Sequence, residues 1–175
     1  MSDTVLTQHK ESALMPVPPV AGEELLSILP HKGKMFLISR ILDYSVQGRT
    51  LRSEYDVTED CLFYDPFVGG VPSWVSFEFM AQAVSALSGL TGRFLGKPPL
   101  MGFILSVLSL ETRTPLFRTG SVIQVRIAEE VKMDSVSTFR CRTDLDGAAV
   151  AEAKLTVMDV EDPSVYIERT DYGKR

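Results

Sequence analysis

The sequence predicts an α+β domain in which an antiparallel sheet buries one long helix. Three observations lead there: two β-rich runs between about positions 35 and 57, one apolar stretch of helical period from Ser73 to about Leu95, and four further β-rich runs in succession up to about position 161. A helix that is apolar on nearly every side and a sheet with an apolar face have to cover each other. Periodicity by itself also fits other α+β arrangements.

Taken in order, positions 1–21 are polar and then proline-rich ("MPVPPVAG") and read as a flexible lead-in, so the domain is expected over 22–162 with a polar tail over 163–175. "GEELLSIL" is a short helix stopped by Pro30. "MFLISRILDYSV" and "TLRSEYDV" are strands joined at Gln47-Gly48-Arg49, a hairpin signal. The period then changes. Ser73 is placed to cap a helix that Gly96 and Pro98 end, roughly 23 residues or about 35 Å long at 1.5 Å per residue. "LMGFILSVLSLETRT", "SVIQVRIAEEV", "STFRCRTDL" and "AVAEAKLTVMDVE" follow, separated by Pro115, Gly120, Asp134 and Asp146-Gly147, and read as a meander.

Composition narrows the function classes. The 175 residues are 45% hydrophobic, enough for one core and too few for a two-domain enzyme. A net charge of −5 argues against a nucleic-acid binder, whose affinity comes from excess Lys and Arg. Cys61 and Cys141 are too sparse for a zinc cluster or a disulfide framework, and the start of the chain has no secretory pattern, so reduced thiols and a cytoplasmic location are expected. Glu78, Gln82 and Arg93 interrupt the longest apolar stretch, so no membrane insertion is expected.

On the long helix Glu78, Gln82, Ser85 and Gly89 fall at i, i+4, i+7 and i+11, one narrow polar or small stripe on an apolar cylinder. A buried carboxylate is costly without a partner and tends to hold a proton, which is also what a general acid needs. Glu78 is therefore either a working carboxylate or one held by Gln82 or a backbone donor without chemistry.

"LPHKGKMFLISRI" (29–41), "VPSWVSFEFMAQA" (71–83) and "ETRTPLFRTG" (111–120) together resemble the 3-hydroxyacyl-acyl-carrier-protein dehydratases of the hot-dog superfamily, over about positions 22–160. The spacing from Pro72 to Glu78 and on to Ala81-Gln82 is the family's spacing, and the "LPHKGKM" variant points to a divergent branch. One departure matters. The family's catalytic His stands in a His-Phe-Pro-Gly segment before the helix, and here Tyr64 occupies that place, within "FYDPFVGG". His31 remains as the candidate base, with a structural role capping the turn after the first helix as its alternative; Tyr64 and Asp65 are further candidates, Asp65 also reading as plain turn chemistry.

The resemblance implies loss of water from a 3-hydroxyacyl thioester carried by acyl carrier protein or CoA, in fatty-acid or polyene-type lipid biosynthesis, with neither metal nor organic cofactor. It implies Glu78 as the catalytic carboxylate, with His31 as the candidate base only because the usual His is missing, Gln82 as the orienting group, and Gly70 and the backbone near Trp74 against the substrate. Arg113 and Arg118, with Lys32 or Lys34 behind them, would dock the acidic carrier. It further implies a homodimer or higher oligomer. Two other functions stay open: a hot-dog thioesterase that uses Glu78 and needs no His-Phe-Pro-Gly segment, and a non-catalytic acyl-binding partner subunit.

Overall fold

The strand runs that follow the helix alternate inward and outward with period two, and this alternation builds the concave face of the sheet. In the computed structural model, which describes residues 15–98 and 101–160, Ile123, Val125 and Ile127 point inward from one strand, Phe139 and Cys141 from the next, and Ala151, Ala153, Leu155 and Val157 from the last. The sheet has seven antiparallel strands in the order β1-β2-β3-β7-β8-β9-β5. These are β1 (Val20–Ala21), β2 (Arg40–Ser45), β3 (Thr50–Asp56), β5 (Met101–Thr112), β7 (Val122–Met133), β8 (Val136–Leu145) and β9 (Ala148–Val160). Two short strands, β4 (Gly70–Pro72) and β6 (Leu116–Arg118), pair with each other apart from it.

The helix α2 (Ser76–Phe94) lies in the concavity, entered through a 3-10 turn at Ser73–Val75. Phe79, Met80, Ala83, Ala86, Leu87 and Leu90 are fully buried along it, and Phe79 stacks on Tyr55 of β3 with ring centroids 5.0 Å apart. This is the hot-dog fold, as expected.

Two local expectations are corrected. Ser73 makes no side-chain cap; its backbone N–H donates to Pro115 O, and the Ser76 hydroxyl donates back to Ser73 O at 2.6 Å. Just before the boundary expected at 22, Val20 is buried and pairs with Ile41, and Tyr44 Oη donates to Pro16 O at 2.5 Å. Of the four runs expected as a meander only β7, β8 and β9 are neighbours in chain order; β5 lies beyond them and pairs with β9. The short strands β4 and β6 are not expected, because three residues show no period. The remainder of the expected lead-in and the tail at 163–175 lie outside the described residues.

What positions the site is the segment that leaves the short helix α1 (Gly22–Leu26) and crosses the polar stripe of α2. Gly89 lets it approach: a Cβ there would stand 2.2 Å from Ile28 O. Gln82 then fixes it by side-chain bonds to the backbone of Met35 and Leu37. The stripe is thus met by the main chain of residues 28–37, and His31 travels with that chain.

Candidate active site

Gln82 has no exposed surface, so its amide must be satisfied by protein. Its Oε1 accepts from Leu37 N at 2.8 Å, and its Nε2 donates to Met35 O at 2.7 Å and to Glu78 Oε1 at 2.8 Å. A backbone N–H on one side and a carbonyl on the other leave only one orientation of the amide, so its donor must point at Glu78. Glu78 sits one turn earlier on α2, and no other protein group bonds its carboxylate among the described residues.

Glu78 and His31 line one cavity of about 300 Å³ together with Ala81, Ser85 and Ser88 of α2 and the β5–β9 roof. His31 Nδ1 is buried without a hydrogen-bond partner. Burial lowers the His31 pKa below its ordinary value of 6.5, and the facing Glu78 carboxylate offsets that in part. At neutral pH the ring is therefore an uncharged imidazole, able to accept a proton. His31 Nδ1 makes no capping bond among the described residues.

The other expected residues stand apart from this cavity within the chain. Tyr64 Oη lies 3.5 Å from Glu59 Oε1, and Asp65 Oδ1 accepts from Phe67 N, the local turn considered for it. Gly70 pairs with Arg118, and a Cβ there would stand 2.3 Å from Phe117 O; its smallness makes room for β6 rather than for a ligand. Trp74 is half exposed, edge-on to Phe63 at 5.9 Å and stacked on Phe77. Of the arginines, Arg113 donates to Glu152 at 2.6 Å, while Arg118 is exposed with no ion pair among the described residues. Lys32 and Lys34 are exposed on either side of Gly33, next to His31.

Two polar lining groups have no counterpart in the sequence reading, Ser88 and Asp159. Asp159 comes from the last turn-inward position of β9, and nothing in its local sequence distinguishes it from a solvated strand-end charge. Among the described residues there is no cluster of metal-ligating side chains, and no helix is long and apolar enough to cross a membrane.

Residues 23–168 match the family model described as ApeP-like, ApeP dehydratase. The chain is 28% identical over 141 residues to the 3-hydroxyacyl-acyl-carrier-protein dehydratase FabZ of Bartonella quintana (strain Toulouse), covering 79% of this chain and 89% of that one. It is 27% identical over 142 residues to the FabZ of Psychromonas ingrahamii, covering 76% and 89%. Among solved structures, the dehydratase heterocomplex ApeI:P from Xenorhabdus doucetiae superimposes with a TM-score of 0.76 at 19% identity, covering 89% of this chain and 100% of that chain. A hypothetical thioesterase with coenzyme A from Streptococcus pneumoniae TIGR4 gives 0.53 at 12% identity, covering 69% and 84%. At such identities these structures speak for the shared fold alone.

Proposed function

The chain belongs to the ApeP-like dehydratase family, and from that premise we propose that it removes water from 3-hydroxyacyl thioesters carried by acyl carrier protein, in fatty-acid or polyene-type lipid biosynthesis. The observation that carries the reading is one cavity holding an uncharged His31 and a Glu78 aimed by a fully buried Gln82. His31 takes the C2 proton and Glu78 delivers a proton to the departing C3 hydroxyl. The C2–H electrons form the C2=C3 bond as the C3–O bond breaks, and water leaves. The proton held by His31 then returns to Glu78 through the cavity they share.

The assembly follows from one edge strand. Among the described residues β5 ends the sheet, with Leu105 and Leu108 half exposed along it, an apolar edge that a lone subunit leaves open. A second hot-dog subunit pairs there, a copy of this chain by our reading; a different chain would make it a heterocomplex like that of Xenorhabdus doucetiae. A monomer by sedimentation at micromolar concentration counts against either.

Tyr64 in place of the usual His is the observation that favours a second reading, the thioesterase. The two part on products. Purified protein is given a 3-hydroxyacyl and a saturated acyl thioester, with the enoyl product and free thiol followed separately. Enoyl product without thiol release supports the dehydratase; thiol release from both substrates without enoyl product replaces it with the thioesterase.

A further inference from the structure

Along α2 the cavity runs from Glu78 past Ala81 and Ser85 to Ser88, ten residues or about 15 Å of helix. Its roof is the β5–β9 pair, where Ile104 stands opposite Val157 and, two residues further on, Gly102 stands opposite Asp159. The middle of the passage is apolar, with Val84, Ile104 and Val157 facing it; the far end is not.

At that end the Ser88 hydroxyl lies 3.5 Å from Asp159 Oδ1, and Lys132 Nζ lies 3.9 Å from Asp159 Oδ2. Among the described residues these are the side-chain contacts of Asp159, both too long to satisfy a carboxylate whose good hydrogen bonds are about 2.5–2.9 Å, which leaves the group open to water. Gly102 leaves room for that water: a Cβ there would meet only Met158 O, at 3.9 Å. Behind the same two residues lies a second cavity of about 140 Å³, to which Arg49, Thr91 and Lys132 also contribute. Ser88 and Asp159 are thus a shared wall between an apolar passage and a charged chamber.

We propose that Ser88 and Asp159, backed by Lys132, form a polar end wall that limits the length of the saturated acyl chain this protein accepts. A hydrocarbon end pressed against Asp159 would strip its water and leave the carboxylate only its long contacts to Ser88 and Lys132, and desolvating a charge without good partners is costly. An apolar chain therefore gains from each methylene until it reaches the wall and loses on the next. The inference rests on the acyl-thioester reading of the cavity.

Binding rather than turnover tests it. Linear saturated acyl-pantetheine amides, lengthened two carbons at a time, are titrated calorimetrically into the purified protein in its native assembly. Affinity should rise about fourfold per added methylene, the usual gain from burying one, and then break. In Asp159→Ala the rise should continue past the native break; in Gly102→Val, which fills the roof above Asp159, the break should come at a shorter chain. Asp159→Asn, nearly isosteric, serves where the alanine variant loses stability and should move the break in the same direction. A break at the same length in a folded Asp159 variant overturns the wall alone. Absence of binding at every length overturns the wall and the acyl reading together.

Discussion

Replacing Gln82 by Leu removes one side chain and three hydrogen bonds, and their costs differ. Met35 is partly exposed, so its carbonyl recovers a bond from water. Leu37 is buried, so its N–H is left without a partner, a loss of about 1–3 kcal/mol. The apolar leucine returns part of this, and the net is on the order of 2 kcal/mol. For a domain of this size that lowers Tm by roughly 4–8 °C. The third bond is the functional one: without Nε2 the Glu78 carboxylate has no group to aim it among the described residues, and kcat should fall about tenfold or more, the scale of a lost positioning contact. Thermal unfolding by circular dichroism and steady-state dehydration on the same preparation measure both. A Tm unchanged within 1–2 °C would mean that the Leu37 N–H is satisfied elsewhere. An unchanged kcat would show that Gln82 does not orient Glu78, and the geometric argument for the site would go with it.

Gly89→Ala tests how the segment bearing His31 is seated. Helix propensity alone favours the alanine by about 1 kcal/mol, but its Cβ would meet Ile28 O at 2.2 Å, so a net destabilisation of about 1–3 kcal/mol is expected by chemical denaturation, with activity reduced as the segment shifts. Titration of His31 has a definite sign. Its folded pKa lies below the unfolded value of 6.5, so its contribution to stability is complete above that pH and is lost as pH falls toward the folded value, where the unfolded chain binds the proton more readily. Activity that needs the neutral ring falls over the same acid range, and His31→Gln should flatten the acid limb of the stability curve while abolishing dehydration; an unchanged pH profile removes His31 from the mechanism. For carrier docking, Arg118→Glu should raise KM for a carrier-bound substrate more than Arg113→Glu, because Glu152 already neutralises Arg113. A short pantetheine thioester should be unaffected, and equal effects on both substrates would dismiss docking.

The sheet and its central helix are legible in the sequence because their signals are long and local. Nineteen residues of α2 keep one helical period, and Asp134 and Asp146-Gly147 mark turns where the backbone does adopt positive φ. The Glu78–Gln82 bond is legible for the same reason, since i and i+4 on a helix are neighbours wherever the helix goes. His31 is different: no local pattern places it beside Glu78, and it enters only as the histidine left once Tyr64 stands in the family's catalytic position. Ser73 misleads because a serine before an apolar run has the right chemistry for a cap, but the 3-10 turn gives the bonding role to Ser76. Asp159 is invisible for a deeper reason. Its place in the cavity comes from the β5–β9 register, which sets it opposite Gly102 across 57 residues of chain, and such pairing leaves no trace in either strand alone.

The most direct test of the account is the rate of water loss from a 3-hydroxyacyl substrate on its acyl carrier protein, catalysed by Glu78→Gln in the native assembly. Glutamine keeps the size of the side chain and can still meet the Gln82 amide, so Tm should stay within a few degrees of the parent. It can neither give up nor take back the proton, and kcat should fall by roughly 10² or more. A folded Glu78→Gln protein that dehydrates within threefold of the parent would contradict the claim that this carboxylate does the chemistry.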